Sequence, residues 1–350
     1  MHGSKDLDPG IIHCGPKKEN IAVIVSIIIP AYNASATIER TLKALSVQDF
    51  TQDYEVIVVN DGSTDRTADV IRAFPHVKLI TQENAGPASA RNTGAKYAKG
   101  GLLCFTDADC VPHPDWIALL EKDFHRSDIA VVCGSYGIAN PESPLSQGIH
   151  EEIMFRHHVL MPDFPKVFGS YNFCIKKDVF DSLGGFDTRY RSASGEDNDL
   201  SYRLIAAGHK IFFERKALVD HYHTTSVVKY LKEQYRHGHW RMTMYADHPQ
   251  MLGGDSYTFW KDVLEVPWSL MCVLGCGMIA LGMVSTFAVI YFLILPFWIF
   301  EIYFAHRMMK NYFESLLYGN VMFFRAFARS FGLSTGILYI LWTKIKKNPK

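Results

Sequence analysis

The sequence predicts an α/β fold: a Rossmann-like, mainly parallel sheet with helices on both faces, followed by C-terminal transmembrane or interfacial helices. Three observations predict it. Short apolar runs alternate with helical patterns from about Val23 to Asp109, polar clusters stand at the carboxyl ends of those runs, and no charged residue occurs from Val266 to Phe300.

The elements follow in order. Val25–Ile29 is the first expected strand, and the helix after it carries Ile38, Leu42 and Leu45 on one face, with Ser35 placed to cap it. Glu55–Val59 is the second strand, followed by the turn Asp61-Gly62-Ser63-Thr64-Asp65 and a helix through Val70 and Ile71. Val77–Ile80 is the third strand, and a helix over Ala88–Ala98 leads to the fourth, Leu102–Thr106. Strands alternating with helices in this way make a parallel sheet, whose ligands sit beyond the carboxyl ends of the strands. Pro30-Ala31-Tyr32-Asn33, Asn60-Asp61-Gly62-Ser63 and Asp107-Ala108-Asp109 all stand at such ends.

The next part, roughly Val111–Asp262, is mixed. It offers a strand at Ala130–Cys133, a helix at Lys177–Leu183 closed by Gly184-Gly185, a helix from Asp197 to Ala207 stopped by Gly208, and a strand at Lys210–Phe213. Ser143–Pro165, with His157 and His158, reads as an acceptor loop. The expected organisation is a disordered leader over residues 1–20, a catalytic domain over 21–262, and a membrane-associated region over 263–350. The charge-free run exceeds the roughly 20 residues that one spanning helix needs, so a hairpin over about 266–304 is expected, broken at Gly275, Gly277, Gly282 or Pro296. Residues 316–342 are expected as an interfacial or further membrane helix, and Arg325 and Arg329 argue for the interface.

Charge refines this picture. The chain has 36 basic and 36 acidic residues, but from Val266 onward there are eight Lys/Arg and only Glu301 and Glu314 as acids. The basic tail predicts a cytoplasmic end, and a hairpin returns both ends to one side. The part before Val266 is mildly acidic, which excludes nucleic acid as the main partner. The seven cysteines show no metal-ligand spacing. With no secretory signal at the N-terminus, reduced thiols in the cytosol are expected.

The chemistry lies in four clusters. Asp107 and Asp109 close an apolar strand, where two carboxylates can hold a hard cation, Mg²⁺ or Mn²⁺, that bridges a diphosphate. Asp61 caps the next helix or accepts hydrogen bonds from a base or ribose. Arg91 stands near the start of a helix whose dipole favours a diphosphate, or braces the site by pairing with an aspartate. Glu196, Asp197 and Asp199 crowd the first turn of a helix, where one carboxylate can serve as general base on an acceptor hydroxyl.

In order, Ser26-Ile-Ile-Ile-Pro-Ala-Tyr-Asn33, Val59-Asn-Asp-Gly-Ser-Thr-Asp65, Ala90-Arg-Asn-Thr-Gly94, Thr106-Asp-Ala-Asp109, Gly184-Gly-Phe-Asp187 and Gly195-Glu-Asp197 resemble the family 2 inverting glycosyltransferases of the GT-A fold. The resemblance covers about Val25 to Trp240. It implies that Ala31, Tyr32, Asp61 and Arg91, with Pro30 in the same motif, hold the nucleotide. It implies that Asp107 and Asp109 serve ribose, diphosphate and metal, and that Asp197, beside Glu196, is the base. Family members often add a metal-binding histidine after the base motif, for which His221 and His223 are the candidates and His223 is preferred. The Gln-x-x-Arg-Trp motif of processive members is absent from Gln234-Tyr-Arg-His-Gly-His-Trp240, although Trp240 can still stack on a sugar ring.

The expected activity is inverting, metal-dependent transfer of a sugar from a nucleoside diphosphate-sugar, with UDP favoured. The expected acceptor is a hydroxyl of a lipid-linked or membrane-proximal glycan, as in polysaccharide biosynthesis. The chain is expected at the cell membrane with its catalytic domain in the cytoplasm. The alternatives are a processive polysaccharide synthase, a nucleotidyltransferase, and a non-catalytic nucleotide-sugar binder.

Overall fold

The computed structural model describes residues 11–12, 25–190, 194–309 and 311–347, so most of the expected leader lies outside the described residues. By packing, the chain forms two compact units. The first comprises residues 1–139 and 162–222, and the second 140–161 and 223–350.

In the first unit, β1 (Ile11–Ile12), β2 (Val25–Ala31), α1 (Ile38–Leu45), β3 (Tyr54–Asp61), α2 (Thr67–Arg72), β4 (Val77–Gln82), α3 (Pro87–Tyr97), β5 (Leu102–Thr106), β6 (Cys110–Pro112), α4 (Trp116–Glu121) and β7 (Ile129–Ile138) come in chain order. The chain then passes through α5 (Pro144–Val159) of the second unit and returns as β8 (Asn172–Lys176), α6 (Lys177–Ser182), α7 (Glu196–Ala206) and β9 (Lys210–His221). One sheet holds all nine strands, in the order β1-β3-β2-β5-β8-β7-β9-β6, with β4 also beside β3.

The parallel half is the one legible from the repeating pattern: β4, β3, β2 and β5 run in one direction. Beyond it β8 is antiparallel to β5 and β7, while β9 runs parallel to β7 and carries β6 antiparallel. Strand β3 is buried at every position, as a strand covered on both faces must be. Alternate residues of β2 serve opposite faces. Val25, Ile27 and Ile29 pack with Ile38, Leu42 and Leu45 of α1 and with Trp116 of α4, while Ile28 lies under Gly94 of α3.

Two local expectations change. Ser35 does not cap α1, because its amide donates to the Asp65 carboxylate at 3.2 Å and the helix begins at Ile38. The stretch expected as an acceptor loop is mostly the helix α5, capped by the Ser143 hydroxyl.

The second unit is helical: α5, α8 (Val227–Asp247), α9 (Trp260–Ala280), α10 (Thr286–Val289), a π-helical turn at Ile290–Ile294, α11 (Leu295–Met308) and α12 (Tyr312–Lys347). Helix α9, and α10 through α11 taken as one stretch from Thr286 to Met308, are long and apolar enough to cross a membrane, with mean hydropathies of 1.8 and 2.1. The break between them falls at Gly282, while Gly275 and Pro296 sit within helices.

Helices α8 and α12 touch backbone to backbone. A Cβ on Gly332 would lie 2.1 Å from the Tyr235 carbonyl oxygen, one on Gly336 2.4 Å from that of His239, and one on Gly238 2.3 Å from that of Arg329. Glycines spaced four apart therefore set this crossing.

Arg325 is not interfacial. It is buried, donates to Glu152 and Tyr230, and pairs with Glu265 at 3.4 Å. Glu152 also receives Arg156 at 2.7 Å and the Tyr318 hydroxyl at 2.7 Å. Burial alone would raise the Glu152 carboxyl, but the guanidinium groups of Arg325 and Arg156 hold it well below the usual carboxylate range.

Candidate active site

The carboxyl ends of β2, β3, β4 and β5 place the candidate residues. At the end of β2, Pro30 is half-buried, Ala31 is buried, and Tyr32 is 53% exposed, an aromatic ring presented to solvent where a base could stack. Asn33 follows with φ 49°, and its Oδ1 accepts from the Thr64 amide at 2.8 Å, tying the first loop to the second.

Asp61 ends β3 and is buried. It does not cap a helix: α2 starts at Thr67, whose amide is taken by Asp65 at 3.0 Å. Asp61 Oδ1 instead accepts from Gln82 Nε2 at 2.7 Å and from the Ala85 amide at 2.9 Å, and its Oδ2 accepts from the Gly86 amide at 2.9 Å. The carboxylate thus shapes the loop that opens α3, which carries Arg91. Gln82 was missed from the sequence, although its place at the end of the third strand was the available signal.

Arg91 joins two motifs. Its Nη2 donates to Asp107 Oδ1 at 2.7 Å and its Nη1 to Glu196 Oε1 at 3.0 Å, from a fully buried position. Glu196 also accepts from the Ser194 amide at 2.7 Å, so it is placed as a brace. Asp197, half-buried on the next position of α7, accepts from the Ser170 amide at 3.3 Å and from the Asn198 amide at 2.8 Å. Burial, with the adjacent Asp197, pushes the Glu196 carboxyl up to about 7 against the pull of Arg91. Burial also raises Asp197, opposed by the Asn198 amide and Arg91. Two neighbouring carboxyls raised together titrate as a pair.

One group of possible metal ligands occurs here among the described residues. Asp109, Cys110 and His221 bring their ligand atoms within 4.8 Å of one another, with His221 Nε2 3.5 Å from Asp109 Oδ1. Burial, then the charges of Asp109 and Asp107, push the Cys110 thiol well up, and its soft sulfur suits a hard divalent cation poorly. A carboxylate oxygen and an imidazole nitrogen remain, a donor set that fits Mn²⁺ better than Mg²⁺.

Of the two candidate histidines, His221 is the one that meets Asp109. Strand β9 ends at His221, the Tyr222 amide still donates to the Asp109 carbonyl at 3.0 Å in the register of the β6–β9 pair, and His223 belongs to the second unit. Trp240 also belongs to the second unit, where it lies on α8 against Tyr339. The structure therefore brings Pro30, Ala31, Tyr32, Asp61, Arg91, Asp107, Asp109, Glu196 and Asp197 into one unit, and leaves His223 and Trp240 out of it.

This sheet, with acidic side chains at its strand ends, is a GT-A type domain. The model of the family described as "Glycosyl transferase family 2" matches residues 26–184. Validoxylamine A glucosyltransferase of Streptomyces hygroscopicus subsp. jinggangensis is 32% identical over 53% of this chain and 52% of its own length. Glycosyltransferase AglE of Haloferax volcanii is 29% identical over 61% of this chain and 71% of its own. The chain thus spans about half the length of the Streptomyces relative. Among solved structures, the mannosyltransferase PcManGT from Pyrobaculum calidifontis, described in complex with GDP-Man and Mn²⁺, superposes with a TM-score of 0.52 and 21% identity. That superposition covers 66% of this chain and 65% of the other, and supports the fold.

Proposed function

We propose that this chain is an inverting, metal-dependent glycosyltransferase. It transfers a sugar from a nucleoside diphosphate to a hydroxyl of a lipid-linked or membrane-proximal glycan. One observation carries the reading: Arg91 clamps Asp107 and Glu196 together, which sets the diphosphate end of the site beside the residue next to the base.

In this reading Tyr32 stacks on the base of the nucleotide and Asp61 holds the loop before α3 in shape. Asp197 takes the proton of the acceptor hydroxyl, whose oxygen attacks the anomeric carbon. The bond from that carbon to the diphosphate breaks on the opposite side, so the configuration inverts and the nucleoside diphosphate leaves. Asp109 and His221 are the residues to hold a divalent cation, which when bound neutralises charge on the departing diphosphate. The Mn²⁺ in the Pyrobaculum mannosyltransferase complex supports that choice, and the GDP-Man in it puts GDP-sugars with UDP-sugars as donors to test.

The two apolar helices support a membrane hairpin. Leu274, Leu281, Phe287 and Phe292 are each at least two-thirds exposed, too much apolar surface to leave facing water. Two crossings and the basic tail support a catalytic domain in the cytoplasm.

The test is release of nucleoside diphosphate by the purified full chain from a panel of UDP- and GDP-sugars, with and without Mn²⁺. Metal-dependent release from one donor is the expected result. Pyrophosphate as product would make the chain a nucleotidyltransferase. Neither turnover nor nucleotide binding would overturn the reading.

The acid limb of the rate profile provides a second test. Because burial raises both Glu196 and Asp197, the base is lost at higher pH than a free carboxylate would be as pH falls, and kcat/KM should fall with it. Glu196→Gln removes one of the two negative charges and should move that limb to lower pH. An unmoved limb would separate Glu196 from the base.

A further inference from the structure

A ladder of ring contacts runs between the two ends of the site. Tyr136, near the end of β7, stacks on Tyr171 with ring centroids 3.7 Å apart and planes 10° from parallel. On its other side Tyr136 meets the His221 imidazole at 5.2 Å and 67°, edge against face. The Tyr171 ring in turn fills the space above Gly169, where a Cβ would lie 2.1 Å from Tyr171 Cε1. Between Gly169 and Tyr171 in the chain stands Ser170, whose amide donates to Asp197 at 3.3 Å. Both tyrosines are half-buried, and neither has a part in the reaction described above.

We infer that Tyr136 and Tyr171 are positioning residues that couple the metal-holding His221 to the loop that aims Asp197. The inference rests on the proposed reaction and adds residues to its site. His221 is the last residue of β9, so the sheet beyond it does not fix the direction of its ring. The imidazole faces Asp109 with the Tyr136 ring against it. Tyr136 cannot shift without Tyr171, and Tyr171 lies on the bare backbone of the loop that holds the base. A displacement at one end is therefore carried to the other through packed rings. The contacts described are made by ring faces and edges, which a phenyl ring keeps and an aliphatic side chain loses.

The experiment measures Mn²⁺ binding to the full chain by electron paramagnetic resonance, with UDP or GDP present, alongside thermal melts. Tyr171→Leu should weaken Mn²⁺ by about tenfold, the usual cost of losing an outer orienting residue, although Tyr171 is not itself a metal ligand. Tyr171→Phe should bind as the wild type does. Tyr136→Leu should match Tyr171→Leu, and the double variant should be no weaker than either. Gly169→Ala, whose new methyl pushes on the Tyr171 ring, should give the same loss, and it stands in if the Leu variants do not fold. Wild-type Mn²⁺ affinity in a folded Tyr171→Leu or Gly169→Ala protein overturns the coupling, as does a loss in Tyr171→Phe. A wild-type chain that binds no Mn²⁺ with either nucleotide overturns the metal-dependent reaction itself.

Discussion

Asp197→Asn should lower nucleoside diphosphate release from the preferred donor by about a thousandfold, within the range usual for removing a general base. Donor affinity should change little. A thousandfold loss corresponds to about 4 kcal/mol of barrier. The substitution keeps the shape of the side chain but removes its ability to take a proton. It also disturbs a local arrangement, since Asp197 accepts from two amides, those of Ser170 and Asn198. A carboxamide offers one oxygen in place of two, so one amide loses its acceptor, at a stability cost of about 1 kcal/mol. That cost is too small to unfold the domain, and the loss of rate can be read as chemistry. Water attack on the donor needs the same base as attack by an acceptor, so the measurement can be made before the acceptor is known. A rate within about tenfold of wild type would remove Asp197 from the role of base and point to Glu196 or to substrate-assisted chemistry.

The sequence carried the parallel half of the sheet well. Its strands are local, continuous apolar runs, and the clusters holding Asp61 and Asp107 follow such runs directly, whereas Arg91 and Asp197 stand on helices and were singled out by the resemblance of their motifs. The antiparallel half was less legible. The pairings of β8 with β5 and of β6 with β9 join segments that are far apart in the chain, and no local pattern announces them. The choice between His221 and His223 depended on the pairing of β9 with β6, which sets His221 opposite Cys110 and beside Asp109, more than a hundred residues upstream. Arg325 was assigned to an interface for the same reason: its main partner, Glu152, lies 173 positions earlier in the chain. A charge in an apolar helix can face a headgroup or an internal partner, and periodicity alone does not distinguish them.

Arg325→Met should therefore destabilise the second unit, by about 3–5 kcal/mol, as expected when one member of a buried ion pair is removed and its partner is left behind. Arg325 is one of eight charged groups that interlock there. Lys261 pairs with Glu301 at 2.6 Å and also with Glu265, while Arg156 binds Asp262 at 2.7 Å and Arg329 reaches Asp262 at 3.3 Å. Four acids, Glu152, Asp262, Glu265 and Glu301, stand against four bases, Arg156, Lys261, Arg325 and Arg329. Removing one base leaves Glu152 with Arg156 and the Tyr318 hydroxyl, and leaves Glu265 with Lys261 and Arg329, in a cluster that is now one negative charge out of balance. The expected readout is a lower midpoint of thermal unfolding in detergent, by about 10 °C or more for a unit of this size. Glu152→Gln alone should also destabilise, because it leaves Arg325 under-compensated. The double variant Glu152→Gln with Arg325→Met restores neutrality and should recover part of the loss, which separates a balanced charge network from simple packing around a long side chain. If the double variant is as unstable as the sum of the two singles, Arg325 contributes through its bulk, and the network does not hold α5 to α12.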